Sequence, residues 1–333
     1  MDGLMFLGIL FIPMILLSFL ITLLVTPVWI RRARKEKLTG KDMHKRNKVQ
    51  IPESGGIAVL VGFIIGVFLY ISVKTFFFGT EVNLINILGL LCVLFFAAIV
   101  GLFDDLLGWK RGLKNSTRLL LLLFAAIPLM ALNEGTSNIL GIDFGLIYPL
   151  ILVPIAIIGT TATFNFLGGY NGLETSQGIL IIGALSVVTF VTGSLWLTVI
   201  SACMVASLIA FYLFNKYPAK VFPGDIMTYT IGALIGAIAI MGNMEKIAVF
   251  FFIPYILEVV LKLRGKLEKQ SFGKVQKDGS IELMYPKIYS LTHVAIVFLK
   301  KIKPSHKAYE WEIPLMINLF QIAVIIIGFI LFL

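Results

Sequence analysis

Apolar stretches of membrane-crossing length recur about ten times in this chain of 333 residues, with short polar gaps between them. A soluble globule needs polar residues to cover its surface, and 59% hydrophobic against 14% charged residues is too few. The expected fold class is therefore an all-α polytopic membrane protein. Its spans should lie near residues 4–29, 56–74, 84–103, 117–133, 147–163, 178–191, 195–213, 226–242, 246–262 and 313–333. An even number puts both termini on one side. Residues 1–333 read as a single integral membrane domain, because no polar segment is long enough to stand alone.

Lysine and arginine set the orientation. The gaps after odd-numbered spans hold 9 of them in 31–50, 4 in 104–118, 2 in 214–225 and 11 in 262–312, which is 26 of 28. Only Lys74 and Lys246 fall on the other face. Basic loops stay in the cytoplasm, so both termini are expected on the extracytoplasmic side. Topology thus accounts for the net charge of +10, and no nucleic-acid partner is needed. The first apolar run has basic residues after it rather than before it, the mark of an uncleaved helix. Cys92 and Cys203 lie inside spans as small apolar residues, with no disulfide expected. His44, His293 and His306 are scattered without helical ligand spacing, so no zinc site is expected.

The longest polar segment, 263–312, carries an Asp278-Gly279 turn that predicts a short β-hairpin, followed by an amphipathic piece over 289–299 lying on the cytoplasmic interface.

Acids at the edge of hydrocarbon are costly and need a reason. Asp104 and Asp105 end the third apolar run, where the helix dipole would favour a cation instead. A solvated helix end is the bland reading; a bound cation or phosphate nearby is the functional one. Lys114 serves either as a membrane-flanking lysine or as a phosphate contact. Asn165 and Asn171 bracket Gly168 and Gly169, so a broken turn is expected there, which is also ordinary Asn-Gly turn chemistry. Asp225, in Phe222-Pro223-Gly224-Asp225, starts an apolar run with few local partners, and an N-cap is its competing explanation. Phe222 alone could belong to an interfacial aromatic belt. All these groups, with Glu53, fall in gaps assigned to one face, and can meet there.

Taken in order, Lys41-Asp42-Met43, Ile51-Pro52-Glu53-Ser54, Phe103-Asp104-Asp105 with Lys114, Asn165 to Glu174, Tyr217-Pro218 and Phe222-Pro223-Gly224-Asp225 resemble the polyprenyl-phosphate N-acetylhexosamine-1-phosphate transferases. The resemblance covers about residues 15–290 and is nearest to the eukaryotic and archaeal dolichyl-phosphate enzymes. It implies transfer of GlcNAc-1-phosphate from UDP-GlcNAc to dolichyl (polyprenyl) phosphate, releasing UMP. It also implies that Asn165 and Asp225 hold Mg²⁺ (or Mn²⁺) and that Lys114 neutralises phosphates. Asn171 would read the uracil edge and Phe222 stack on its face, Met43 and Glu53 would close the nucleotide and sugar pocket, and Asp104 and Asp105 would shape the reaction centre. A homodimer is left open, and an archaeal plasma membrane is expected ahead of the endoplasmic reticulum. The last cytoplasmic loop departs from its relatives. It has neither the histidine-rich motif of the muramoyl-pentapeptide enzymes nor the Arg-His-Arg triplet of the eukaryotic ones, leaving Arg264, Lys266, Lys269 and Lys274 as candidate diphosphate or sugar contacts.

Two other classes compete. A transporter or flippase of lipid-linked or nucleotide sugars would place polar residues at span midpoints, which here are mostly apolar, and no internal repeat is evident. A scaffold would leave the clustered acids and amides unexplained. The same chemistry with a different UDP-N-acetylhexosamine is also open.

Overall fold

The computed structural model describes residues 2–45, 47, 49–78, 83–107, 112–139 and 141–333. The basic residues Arg46, Lys48, Lys110 and Arg111 counted above lie outside the described residues.

The protein is mostly helical. Among the described residues, seven helices are long and apolar enough to cross a membrane: α1 (Asp2–Lys35), α2 (Gly56–Val73), α3 (Leu84–Leu107), α6 (Leu173–Val191), α7 (Leu195–Asn215), α8 (Gly224–Met241) and α12 (Glu312–Phe332). Between them stand α4 (Asn115–Leu132), whose apolar part is shorter, and α5 (Val153–Phe164), which continues a π-helical turn over Tyr148–Leu152. Remaining are α9 (Glu245–Phe251), α10 (Ile253–Arg264), α11 (Leu291–Ile302), and three two-stranded antiparallel ribbons. These ribbons are β1 (Thr39–Lys41) with β2 (Gln50–Pro52), β3 (Asn138–Ile139) with β4 (Ile142–Asp143), and β5 (Lys274–Val275) with β6 (Ile281–Glu282).

Each apolar segment expected from hydropathy corresponds to a helical element, with two differences. The expected span 246–262 is broken into α9 and α10 at Phe252, because Pro254 supplies no N–H and its ring clashes with the preceding turn. The expected span 178–191 begins five residues earlier, at Leu173. Its polar first turns escape a hydropathy reading yet are buried: Thr175 donates to Asn215 at 2.7 Å and Gln177 to Asn318 at 2.9 Å. The expected hairpin is present as β5 and β6 with Lys274 opposite Glu282, and the amphipathic piece is α11, capped by the Ser290 side chain.

Helix α8 is the axis of the bundle, with 83% of its span buried. It packs against α2, α3, α5 and α6. Small residues permit this closeness, since lipid offers no hydrophobic drive between helices and close packing must hold them. At Gly101 of α3 a β-carbon would sit 2.5 Å from the Asp225 carbonyl oxygen, so only glycine lets α3 reach the start of α8.

Candidate active site

The first turn of α8 organises the site. A helix start leaves backbone N–H groups without intrahelical partners, and a side chain at the N-cap usually takes them. Here the N-cap is Pro223, which has no acceptor side chain, and the acceptor arrives from another helix. Asp105 Oδ1 accepts from the Asp225 N–H at 2.7 Å and Oδ2 from the Ile226 N–H at 3.4 Å. Asp225 is therefore not the cap of its own helix. Its carboxylate is left beside Asp104 and Asp105, and among the described residues no backbone or hydroxyl donor serves it.

Asp104 is buried at the end of α3. Its Oδ1 accepts from the Leu113 N–H at 2.6 Å, and its Oδ2 pairs with the Arg118 guanidinium and accepts from the Tyr229 hydroxyl at 3.4 Å. The cation that meets Asp104 is thus Arg118, one helical turn beyond the residue singled out from the sequence. Lys114 is exposed at the N-cap position of α4, next in the chain to the lining residues Gly112 and Leu113 but not itself among them.

Asn165 ends α5 and accepts from the Thr228 hydroxyl at 3.1 Å, three residues along α8 from Asp225. The chain then turns away through Gly169 and Gly172, at φ +95° and +81°, before α6 begins. Within that turn the Asn171 amide donates to Asp42 Oδ2 at 3.3 Å, and its backbone N–H faces Glu310. Glu310 in turn holds Lys45 at 2.8 Å, and Lys45 sits 3.8 Å over the Tyr217 ring.

These elements close one cavity of about 480 Å³ at one end of the bundle. Eight of the nine residues singled out from the sequence line it: Met43, Glu53, Asp104, Asp105, Asn165, Asn171, Phe222 and Asp225. Lys114 does not. Arg264, Lys266, Lys269 and Lys274 are also absent from the lining, and the last loop contributes Phe272 instead.

Burial pushes the Glu53 carboxyl up to about 7, and the charge of Asp105 adds to the effect. Glu310 is likewise raised to about 7 by burial and by Asp42, against the pull of Lys45. His44 goes the other way, to about 3, through burial and the neighbouring Lys45, so its ring is neutral. That ring stacks on Tyr170 with centroids 4.0 Å apart, and its Nε2 accepts from the Gly273 N–H at 3.3 Å. Asp42, His44 and Glu310 offer ligand atoms within 4.8 Å of one another, a grouping that spacing along the chain does not reveal. Asp42 Oδ2, Glu310 Oε2 and His44 Nε2 already serve Asn171, Lys45 and Gly273, while Glu310 Oε1 is buried with no hydrogen-bond partner among the described residues.

The pattern of glycosyl transferase family 4 matches residues 87–243. A Saccharolobus solfataricus protein, provisionally named UDP-N-acetylglucosamine–dolichyl-phosphate N-acetylglucosaminephosphotransferase, is 40% identical over 292 residues, covering 85% of this chain and 86% of that one. The chain belongs to glycosyl transferase family 4. A Sulfolobus acidocaldarius protein with the same provisional name is 34% identical over 88% of this chain and 89% of its own length. The phospho-N-acetylmuramoyl-pentapeptide-transferase of Halalkalibacterium halodurans is 30% identical over 78% and 83%.

In this family 4 chain the matched segment runs from α3 to α8 and holds the acid pair, Arg118, the Asn165 to Asn171 turn, Phe222 and Asp225. Met43, Glu53 and Phe272 come from outside it. Sequence reasoning passed over Arg118, Glu174, Asp42 as a contact, and Phe272. Arg118 carried one usable signal: an arginine one turn inside an apolar helix must have an anionic partner. Glu174 lines the cavity and accepts from the Gly169 N–H at 2.8 Å, fixing the turn that carries Asn171.

Proposed function

We propose that this chain transfers GlcNAc-1-phosphate from UDP-GlcNAc to dolichyl or another polyprenyl phosphate, with release of UMP. The observation that carries the reading is the convergence of Asp104, Asp105, Asn165 and Asp225, from three helices far apart in sequence, on one cavity at the end of an apolar bundle. A nucleotide sugar enters such a cavity from water, and a lipid phosphate reaches it from the bilayer. An apolar groove of about 280 Å³ follows α5 and α8, past Ile155, Gly159 and Ile235, to Thr163, two residues before Asn165. It suits a prenyl chain whose phosphate then meets the acid cluster.

Of the three acids only Asp104 is paired with a cation among the described residues, Arg118, and Lys41 is the other cation in the lining, which leaves an excess of negative charge that fits a divalent cation. Oxygen donors are what Mg²⁺ takes, and Asn165 and Asp225 would hold it. An ion held by these two residues would screen the phosphates and polarise the bond to be broken. Asp105 orients Asp225, Thr228 orients Asn165, and Arg118 holds Asp104. Phe222 offers a stacking face, Asn171 a base edge, and Met43 and Glu53 close the sugar side. Lys114 stands beside the cavity mouth for an incoming phosphate. A phosphate monoester is mostly dianionic at neutral pH, so the lipid oxygen attacks the β-phosphorus directly, the bridging P–O bond breaks, and UMP carries away the electron pair. Positioning and electrostatics supply the acceleration.

We infer ten crossings from the apolar runs, and from the lysine and arginine asymmetry a cavity on the cytoplasmic face with both termini outside, a topology that fits an archaeal plasma membrane. Purified protein with labelled UDP-GlcNAc, Mg²⁺ and dolichyl phosphate should yield lipid-soluble label and UMP in equal amounts. Uptake of label into vesicles without UMP would make it a transporter instead.

A further inference from the structure

We propose that Asp42 is a specificity-positioning residue: by holding the amide nitrogen of Asn171 it presents Asn171 Oδ1 to the nucleobase and so selects uracil over cytosine. The inference rests on the nucleotide reading above.

The two ends of an asparagine carboxamide have opposite chemistry, one donating and one accepting, and rotation by half a turn exchanges them. Asn171 cannot rotate freely. Its Nδ2 donates to Asp42 Oδ2 at 3.3 Å, and a carboxylate only accepts, so the reversed carboxamide would set oxygen against oxygen. Asp42 is itself locked, with Oδ1 accepting from the His44 N–H at 3.0 Å, and it is only 2% exposed. Among the described residues nothing donates to Asn171 Oδ1. Both Asn171 and Asp42 line the cavity, with Met43 and Phe222. The group offered to a base stacked on Phe222 is thus an acceptor. Uracil carries an N–H at position 3 and satisfies it; cytosine carries a lone pair there and leaves two acceptors face to face, and such a mismatch in an enclosed site discriminates strongly.

The experiment compares inhibition of the transfer reaction by UMP, CMP and 3-methyl-UMP, whose methyl group replaces the N–H. Wild-type protein should be inhibited by UMP at a concentration about tenfold or more below that needed for either of the others. In Asp42→Asn the neighbour can donate as well as accept, the Asn171 carboxamide is free to turn, and the UMP to CMP preference should fall to within about threefold. Asp42→Ser should behave alike if Asp42→Asn does not fold. A merely structural Asp42 would weaken both nucleotides together and keep their ratio, which overturns the proposal. Equal inhibition of wild-type protein by UMP and 3-methyl-UMP overturns it without any variant. Wild-type protein that forms no lipid-linked sugar from UDP-GlcNAc defeats the functional reading itself, whereas transfer without base preference defeats only the role of Asp42.

Discussion

The Asp225 backbone N–H donates to Asp105 Oδ1 across 2.7 Å, joining residues 120 apart in the chain. One acid of the pair at the end of α3 thus serves as the N-terminal cap of α8, and the acid that follows the turn is released from capping to face the cavity. The two adjacent aspartates have different work: Asp105 sets the helix, and Asp104 pairs with Arg118.

Asp105→Ala removes the acceptor for two partly buried helix amides. The expected loss of stability is about 1–3 kcal/mol, and Asp225 loses its aim, so turnover falls further than stability does. Thermal unfolding in detergent alongside the transfer assay checks this. Asp105→Asn keeps one acceptor oxygen and should recover part of the stability.

Arg118→Ala strands Asp104 as an unpaired buried acid, and turnover should fall about 100-fold or more. The pair Asp104→Asn with Arg118→Ala should cost less than the sum of the single changes, because the second removes a partner that no longer matters. Additive losses in a double-mutant cycle would refute the coupling.

Gly224 combines φ +72° with a β-carbon position 2.3 Å from Asp105 Oδ2 and 2.8 Å from the Ser54 Cα. Gly224→Ala is therefore strained in its backbone and crowded against the acid that caps α8. It should destabilise by about 2 kcal/mol or more and reduce turnover beyond what unfolding explains, read by the same two assays.

Chelation should abolish transfer, and added Mg²⁺ or Mn²⁺ should restore it. Asn165→Ala and Asp225→Ala should raise the metal concentration needed for half-maximal rate or remove turnover altogether. Wild-type metal dependence in both would sink the assignment of these two residues.

Glu53 has a folded-state pKa of about 7, well above its ordinary value of 4.5, because burial disfavours its charge. Its contribution to stability is therefore fully present below about pH 4.5 and is lost as pH rises through 7, with Glu310 acting in the same direction. Glu53→Gln should flatten part of the fall in thermal stability between about pH 4.5 and 7. An unchanged slope in that variant would show that Glu53 does not titrate in this window.

Helix content and the crowding of acids and amides into a few gaps were both readable from residue type and order. Hydropathy found every long helix because crossing hydrocarbon requires an apolar run whatever packs beside it. It failed where burial was by protein rather than lipid, at the polar start of α6, and where a single proline broke α9 from α10. The acids, the Asn-Gly turn and the Phe-Pro-Gly-Asp turn stood out because polar groups at a membrane edge are expensive.

What order along the chain determined was therefore the class of fold, the membrane setting and most of the chemical groups at the site. The tertiary structure alone decided their partners: that Arg118 rather than Lys114 meets Asp104, that Asp105 caps a helix 120 residues away, and that Asp42 orients Asn171. Hydropathy and motif spacing are local, additive properties of a sequence. A hydrogen bond between distant residues depends on how several helices cross, and that is set by the small residues and close contacts of the whole bundle.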